Sequence, residues 1–144
     1  MTDHKKIFID TSAWVELWFI NEIHTKEIQE LIKSETKLGS IFLTSDYVLD
    51  ETFTRLITAK SFQNAKRFYN KIIETQNTGN LTILWTDKRL FSEAWEWFEK
   101  FSEHKLSFTD ATIYTFVKNL KIDEVLTLDQ GFKKVGLVVK PDII

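Results

Sequence analysis

Cysteine is absent from this chain, which excludes disulfides, thiolate nucleophiles and zinc–thiolate sites together. Proline occurs once and glycine four times, too few for collagen-like or linker sequence and too few for a phosphate-cradling glycine loop. No run of about 18 apolar residues is present. The N-terminal MTDHKKIFID lacks the basic region and long apolar run of a secretory leader. These absences predict a cytoplasmic protein with no membrane span. Neither sign of charge dominates, since 19 Lys and Arg meet 21 Asp and Glu for a net charge of −2. A polyanionic partner therefore has no general basic footprint to bind and would be held by a local patch or through metal ions. The one basic run, Lys66, Arg67 and Lys71 with Lys60 upstream, reads as the solvated face of an amphipathic helix.

What the chain does have is aromatic residues, 12 Phe, 5 Trp and 3 Tyr among 144 residues that are 43% hydrophobic. That length suits one domain spanning residues 1–144, with roughly 68–70% of the unfolded surface buried. KIFID (6–10) is a short apolar run ended by Asp, and TSAWVELWFI behind it starts with good helix-capping residues. Residues 24–37 carry Ile28, Leu31 and Ile32 at helical spacing, and Gly39 supplies a stop. IFLT (41–44) reads as a second strand, followed by a helix opening at Ser45 and another bearing Phe62, Ala65, Phe68 and Ile72. Asn77-Thr78-Gly79-Asn80 is the clearest turn. LTILW (81–85) is a strand, Asp87 caps a helix, and EVLTLD (124–129) and LVVK (137–140) are the last strands. In the helix after Asp87, Leu90, Phe91, Ala94, Trp95, Phe98 and Phe101 form the expected buried face, which leaves Trp97 of AWEWFEKF for an interface. Strands alternating with helices predict an α/β domain with a mostly parallel central sheet.

Ligands of such sheets bind beyond the carboxyl ends of the strands, near the point where strand order reverses. Two strands end there in acids, Asp10 and Asp129. A third acid, Asp110, sits in LSFTDATIY, where it is the only charged side chain from Leu106 to Val117 and apolar residues occupy every side of the helical wheel. A helix apolar all round is interior, and an unpaired charge there is costly. Each acid also has a structural reading: Asp10 as a helix N-cap, Asp110 in a capping box with Ser107, and Asp129 as the opening of a turn before Gly131. Periodicity does not select Glu51, which points away from the apolar face of its helix and stands four residues before Arg55, in the spacing of an exposed ion pair. Its neighbour Asp50 lies nearer the apolar side. Clustered carboxylates repel one another unless a hard cation joins them, and Mg²⁺ with oxygen ligands suits phosphodiester hydrolysis. The histidines, His4, His24 and His104, have no metal-ligand spacing, and no histidine pair suits a metal-free cleavage through a 2′-hydroxyl.

Four segments, IFIDTSAW, SDYVLDETFTRL, LSFTDATIY and VLTLDQGF, resemble in order and spacing the PIN-domain ribonucleases, especially the VapC-like toxins, and the match spans nearly the whole chain. The resemblance implies a three-layer α/β/α sandwich, Mg²⁺- or Mn²⁺-dependent cleavage of RNA, an antitoxin protein as partner, and a homodimer. Carried over by position, it implies Asp10, Glu51, Asp110 and Asp129 as catalytic metal ligands. Thr11 and Ser12 fall at the polar positions after the first acid, and Thr109 precedes Asp110, so these hydroxyls are supporting candidates. Gly131 departs from the pattern, standing where relatives carry a polar or acidic residue.

The leading expectation is thus a metal-dependent endoribonuclease, the toxin of a toxin–antitoxin pair. Two rivals stand beside it. A non-catalytic PIN-like module would bind RNA or protein as well in chelator as in Mg²⁺. An aspartyl-phosphate phosphoryl-transfer domain wants a second acid close to Asp10, where Thr11 and Ser12 stand instead.

Overall fold

A computed structural model describes residues 4–19, 23–59 and 61–143; Lys60 of the basic run, Ile20 at the end of the first helical segment and the two chain ends lie outside them. Five strands form one sheet: β1 (Lys6–Ile9), β2 (Ile41–Ser45), β3 (Thr82–Leu84), β4 (Glu124–Leu126) and β5 (Val139–Lys140). Their order is β3-β2-β1-β4-β5 and every pairing is parallel. The helices are α1 (Thr11–Trp18), α2 (Thr25–Lys37), α3 (Asp46–Ala59), α4 (Phe62–Asn77), α5 (Lys88–Lys100) and α6 (Phe108–Leu120), with 3₁₀ turns at Ser102–His104 and Gln130–Val135.

Alternation along the strands sends side chains to opposite faces, and both faces are covered. Phe8, Leu43, Val125 and Val139 pack against Leu90 of α5 and Ile113, Phe116 and Val117 of α6. Ile7, Ile9 and Leu126 pack against Ala13 of α1 and Ile28 of α2. A third cluster joins Leu49 and Leu56 of α3 to Ala65, Phe68 and Ile72 of α4 and to Ile83 of β3. The result is the expected α/β/α sandwich around a parallel sheet. Helix α6 is buried on all sides from Ala111 to Val117, as its unbroken apolar wheel requires. Gly39 and Gly79 both sit at φ +80 just past the ends of α2 and α4, the left-handed conformation that glycine adopts without strain.

Three expectations are corrected. Ser45 closes β2 and does not open the next helix, which begins at Asp46. The strand expected over 124–129 stops at Leu126, and Asp129 instead caps the 3₁₀ turn that follows. The inward face of α5 is also rotated. Trp97 stacks on Phe101 at 5.3 Å and meets Tyr114 of α6 edge-on at 4.8 Å, whereas Trp95 is 53% exposed. The inward set, buried Leu90 and Ala94 with half-buried Trp97 and Phe101, follows the i, i+4, i+7, i+11 series, and Trp97 serves an intramolecular interface.

Candidate active site

Strand order reverses at β1: β2 and β3 lie on one side of it, β4 and β5 on the other. The crevice between β1 and β4 is the switch point of the sheet. Asp10 directly follows β1 there, 6% exposed, with its backbone N–H donating to Leu126 O across the crevice at 3.0 Å. Both carboxylate oxygens are engaged. Thr11 N–H donates to Oδ1 at 2.7 Å, the N-cap bond that starts α1, and the Thr127 hydroxyl donates to Oδ2 at 2.8 Å.

Thr127 is fully buried and anchors a chain of polar contacts. With its own proton on Asp10, it accepts from Asp129 N–H at 3.0 Å and from the Ser12 hydroxyl at 2.9 Å. Ser12 in turn accepts from Leu128 N–H at 2.8 Å. Ser12 therefore acts on Asp10 through Thr127. Thr11 holds Asp10 by its backbone, while its hydroxyl reaches Val48 O at 3.4 Å. Thr127 escaped the sequence reading because a neutral residue in a strand is unremarkable there. The signal was available in the register: Ile9 pairs with Leu126, so the residue just past β4 lies beside Asp10.

The other acids gather around the same crevice, each tied locally by one oxygen. Asp110, half-buried in the first turn of α6, accepts from Ser107 N–H through Oδ2 at 3.1 Å while Ser107 Oγ accepts from Asp110 N–H at 3.0 Å; this is the complete capping box. Asp129, exposed, accepts from Gly131 N–H through Oδ1 at 2.9 Å. A Cβ at position 131 would stand 3.0 Å from that oxygen, so the missing side chain at Gly131 leaves the carboxylate room to fold back. Glu51, half-buried on α3, has Oε1 3.7 Å from Arg55 Nη2. The structural reading of every acid is thus realised, and each of these three carboxylates keeps a second oxygen that makes no hydrogen bond among the described residues. No fully buried side-chain polar atom of the described residues lacks a partner, so those oxygens are reachable by solvent.

Electrostatics tie the four together. Desolvation pushes Asp10 up to about 7 against the opposing hydrogen bonds from Thr11 and Thr127, and the negative charges of Asp110 and Glu51 add to the rise. Asp110 is also raised, first by burial, with Asp129 and Glu51 contributing and Ser107 opposing. Among the described residues no three acidic or histidine side chains converge tightly enough to hold a metal ion as they stand. The donor set nevertheless fits a hard cation: all oxygen, mutually repelling, with free oxygens facing solvent, where Mg²⁺ needs only one or two protein carboxylates and keeps its waters. Thr109, half-buried before Asp110, lines a groove with Tyr47 and Glu51. The three histidines stay apart from the site: His24 pairs with Glu27, His104 lies near the Phe101 ring and His4 near Gly39.

The fold and sequence are shared with known proteins. The 23S rRNA-specific endonuclease VapC20 of Mycobacterium tuberculosis is 26% identical over 140 residues, covering 94% of this chain and 99% of that protein. The crystal structure of VapC20, described as a sarcin–ricin loop cleaving toxin, superposes with a TM-score of 0.81 over 92% of this chain and 96% of the other at 26% identity. VapBC2 of Rickettsia felis, solved with a promoter DNA fragment, shares the fold at a TM-score of 0.68 and 13% identity, covering 94% of this chain and 97% of its own. The PIN domain model matches residues 7–137, a span holding the switch-point crevice and all four acids, and the chain belongs to the PIN domain family.

Proposed function

We propose that this chain is a metal-dependent endoribonuclease, a single PIN domain over residues 1–144 acting in the cytoplasm as the toxin of a toxin–antitoxin pair. The observation that carries the reading is the gathering of Asp10, Glu51, Asp110 and Asp129 around the switch-point crevice, with two of them held above the ordinary carboxylate range by burial and mutual repulsion. No helix among the described residues is long and apolar enough to cross a membrane.

The free oxygens of Glu51, Asp110 and Asp129, with Asp10, would hold Mg²⁺ or Mn²⁺. The chemistry such an ion supplies when bound is charge neutralisation at the phosphate and activation of water near neutral pH. The protein contributes orientation. Thr11 N–H and Thr127 fix the plane of the Asp10 carboxylate, Ser12 fixes Thr127, and Ser107 fixes Asp110 at the start of α6. Thr109, beside Asp110, supplies a hydroxyl at the groove edge. Attack by water with departure of the 3′-oxygen leaves 5′-phosphate and 3′-hydroxyl ends, distinguishing this route from attack by the 2′-hydroxyl.

The test is cleavage of labelled RNAs, a sarcin–ricin loop oligonucleotide and unrelated single strands, by wild type and Asp110→Asn in Mn²⁺, Mg²⁺ and EDTA. Cutting by wild type only, with metal only, and with 5′-phosphate products is the expected result. Equal cutting by the variant or in EDTA would remove the carboxylate site from the reaction. In EDTA the same Asp110→Asn should melt no lower than wild type, since the amide oxygen can still accept from Ser107 N–H and a raised carboxylate is relieved, whereas Asp110→Ala should lose about 1 kcal/mol with the capping box.

A further inference from the structure

Beside the four acids runs a groove of about 450 Å³ lined by Tyr47, Asp50, Glu51, Thr54, Arg55 and Thr109, a volume within the range of small-ligand sites. It shares Glu51 with the acidic cluster and adjoins Asp110 through Thr109, so whatever occupies it is continuous with the crevice. Among the described residues Arg55 is the only cation ion-paired with any of the four acids, and the pairing is loose. At 3.7 Å it is too long for a hydrogen bond, and the guanidinium makes none elsewhere among the described residues. Five donors in a planar fork are left for an oxyanion, the geometry that phosphate accepts. Tyr47 borders the same groove half-buried, its ring steadied by Phe108 at 6.2 Å. An aromatic ring fixed at the edge of a groove is what an unstacked base settles on. Asp50 opposes an anion here, so Arg55 is what makes the groove usable by one.

We infer that this groove seats a nucleotide next to the cut, with Arg55 binding a backbone phosphate and Tyr47 stacking on the base. The inference rests on the nuclease reading and adds to it the residues that hold the strand. Arg55 exchanges its loose contact with Glu51 for the phosphate, which leaves the Glu51 carboxylate free to help hold a cation when one is bound.

Binding of a fluorescein-labelled single-stranded RNA is measured by anisotropy in Mn²⁺ across a salt series, in the Asp110→Asn background so that the strand survives. Adding Arg55→Ala should weaken binding about tenfold and flatten the plot of log affinity against log salt by about 0.7. Arg55→Lys should restore the slope but not the full affinity. Tyr47→Leu should weaken binding at least about fivefold without changing the slope, and Tyr47→Phe should restore it. With Asp110 present, Arg55→Ala should raise KM more than it lowers kcat. Thermal midpoints within a few degrees of the parent confirm folded variants; Arg55 is half exposed. Affinities within twofold of the parent and an unchanged slope overturn the groove, even if wild type cuts RNA. A parent that binds no RNA overturns the groove, and a wild type that also fails to cut overturns both readings. Loss of binding in the variants with no cutting by wild type supports the groove and sinks the nuclease reading.

Discussion

Asp10 is the residue whose charge the fold tolerates least. Its carboxyl titrates near 7 in the folded chain against 3.8 in a solvated one, so between those values the native state holds the proton more tightly than the unfolded state does. Unfolding free energy of the metal-free protein therefore falls as pH rises from about 4 to about 7, and the loss is complete above the folded value. Thermal scans in EDTA should show this slope, Asp10→Asn should reduce it to the part left by the raised Asp110 and lift the midpoint at pH 8 by several degrees, and Mn²⁺ should flatten it in wild type. A wild-type midpoint that climbs over the same interval would contradict the burial argument. Thr127 gives a second residue-scale expectation. Thr127→Val keeps shape but orphans Asp129 N–H and the Ser12 hydroxyl and removes a donor from Asp10, which should cost about 1–3 kcal/mol and much of the activity. Thr127→Ser should recover both. Of these residues, Asp10, Asp110 and Asp129 were legible because acids at strand ends and in an apolar helix break a hydrophobic pattern. Glu51 was not, since a groove-facing acid on α3 looks like any solvated one, and only the family resemblance selected it. Thr127 breaks no pattern at all.

At the scale of elements, α5 and α6 pack as a pair through aromatic rings, with Trp97 and Phe101 against Tyr114 and Phe98 against Phe108 at 5.6 Å. This pairing sets where the first turn of α6, and so Asp110, sits. Trp97→Ala should cost about 3 kcal/mol and Trp95→Ala about 1 kcal/mol or less, read by denaturant midpoints. The sequence suggested the opposite assignment because two tryptophans two residues apart satisfy nearly equal wheels; only the partner helix decides between them. Strand existence and direction were legible from alternation. Strand ends were not: the N–H of Thr127 still bonds Lys140 O, but beyond it the N–H groups of Leu128 and Asp129 turn to the Ser12 and Thr127 hydroxyls, a competition invisible before the two strands are side by side.

For the molecule as a whole, the face between α3 and α4 stands out. Ile57, Phe62 and Tyr69 are each at least half exposed there, around a cavity of about 380 Å³ that Phe53 and Ala65 help to line. The homodimer implied by the family resemblance finds apolar surface of the needed kind on this face. Light scattering should return twice the chain mass, and Ile57→Asp with Tyr69→Asp should return the monomer while leaving the thermal midpoint close to that of wild type. A monomeric wild type at micromolar concentration would remove the dimer. Lys66 and Arg67 lie exposed on α4, as a solvated helix face should.

The bond from Thr127 to Asp10 spans 117 positions of sequence, and this fixes the order in which the crevice can come into being. A growing chain exposes Asp10 early, and β2 can pair with one edge of β1 soon afterwards. The other edge of β1 stays open until β4 has been made and slots in. Through all that interval Asp10 has neither its hydroxyl partner Thr127 nor its neighbour Asp129. A partly synthesised chain, still held on the RNA-rich machine that makes it, is therefore unarmed, and the crevice closes only once the polypeptide has run past residue 129.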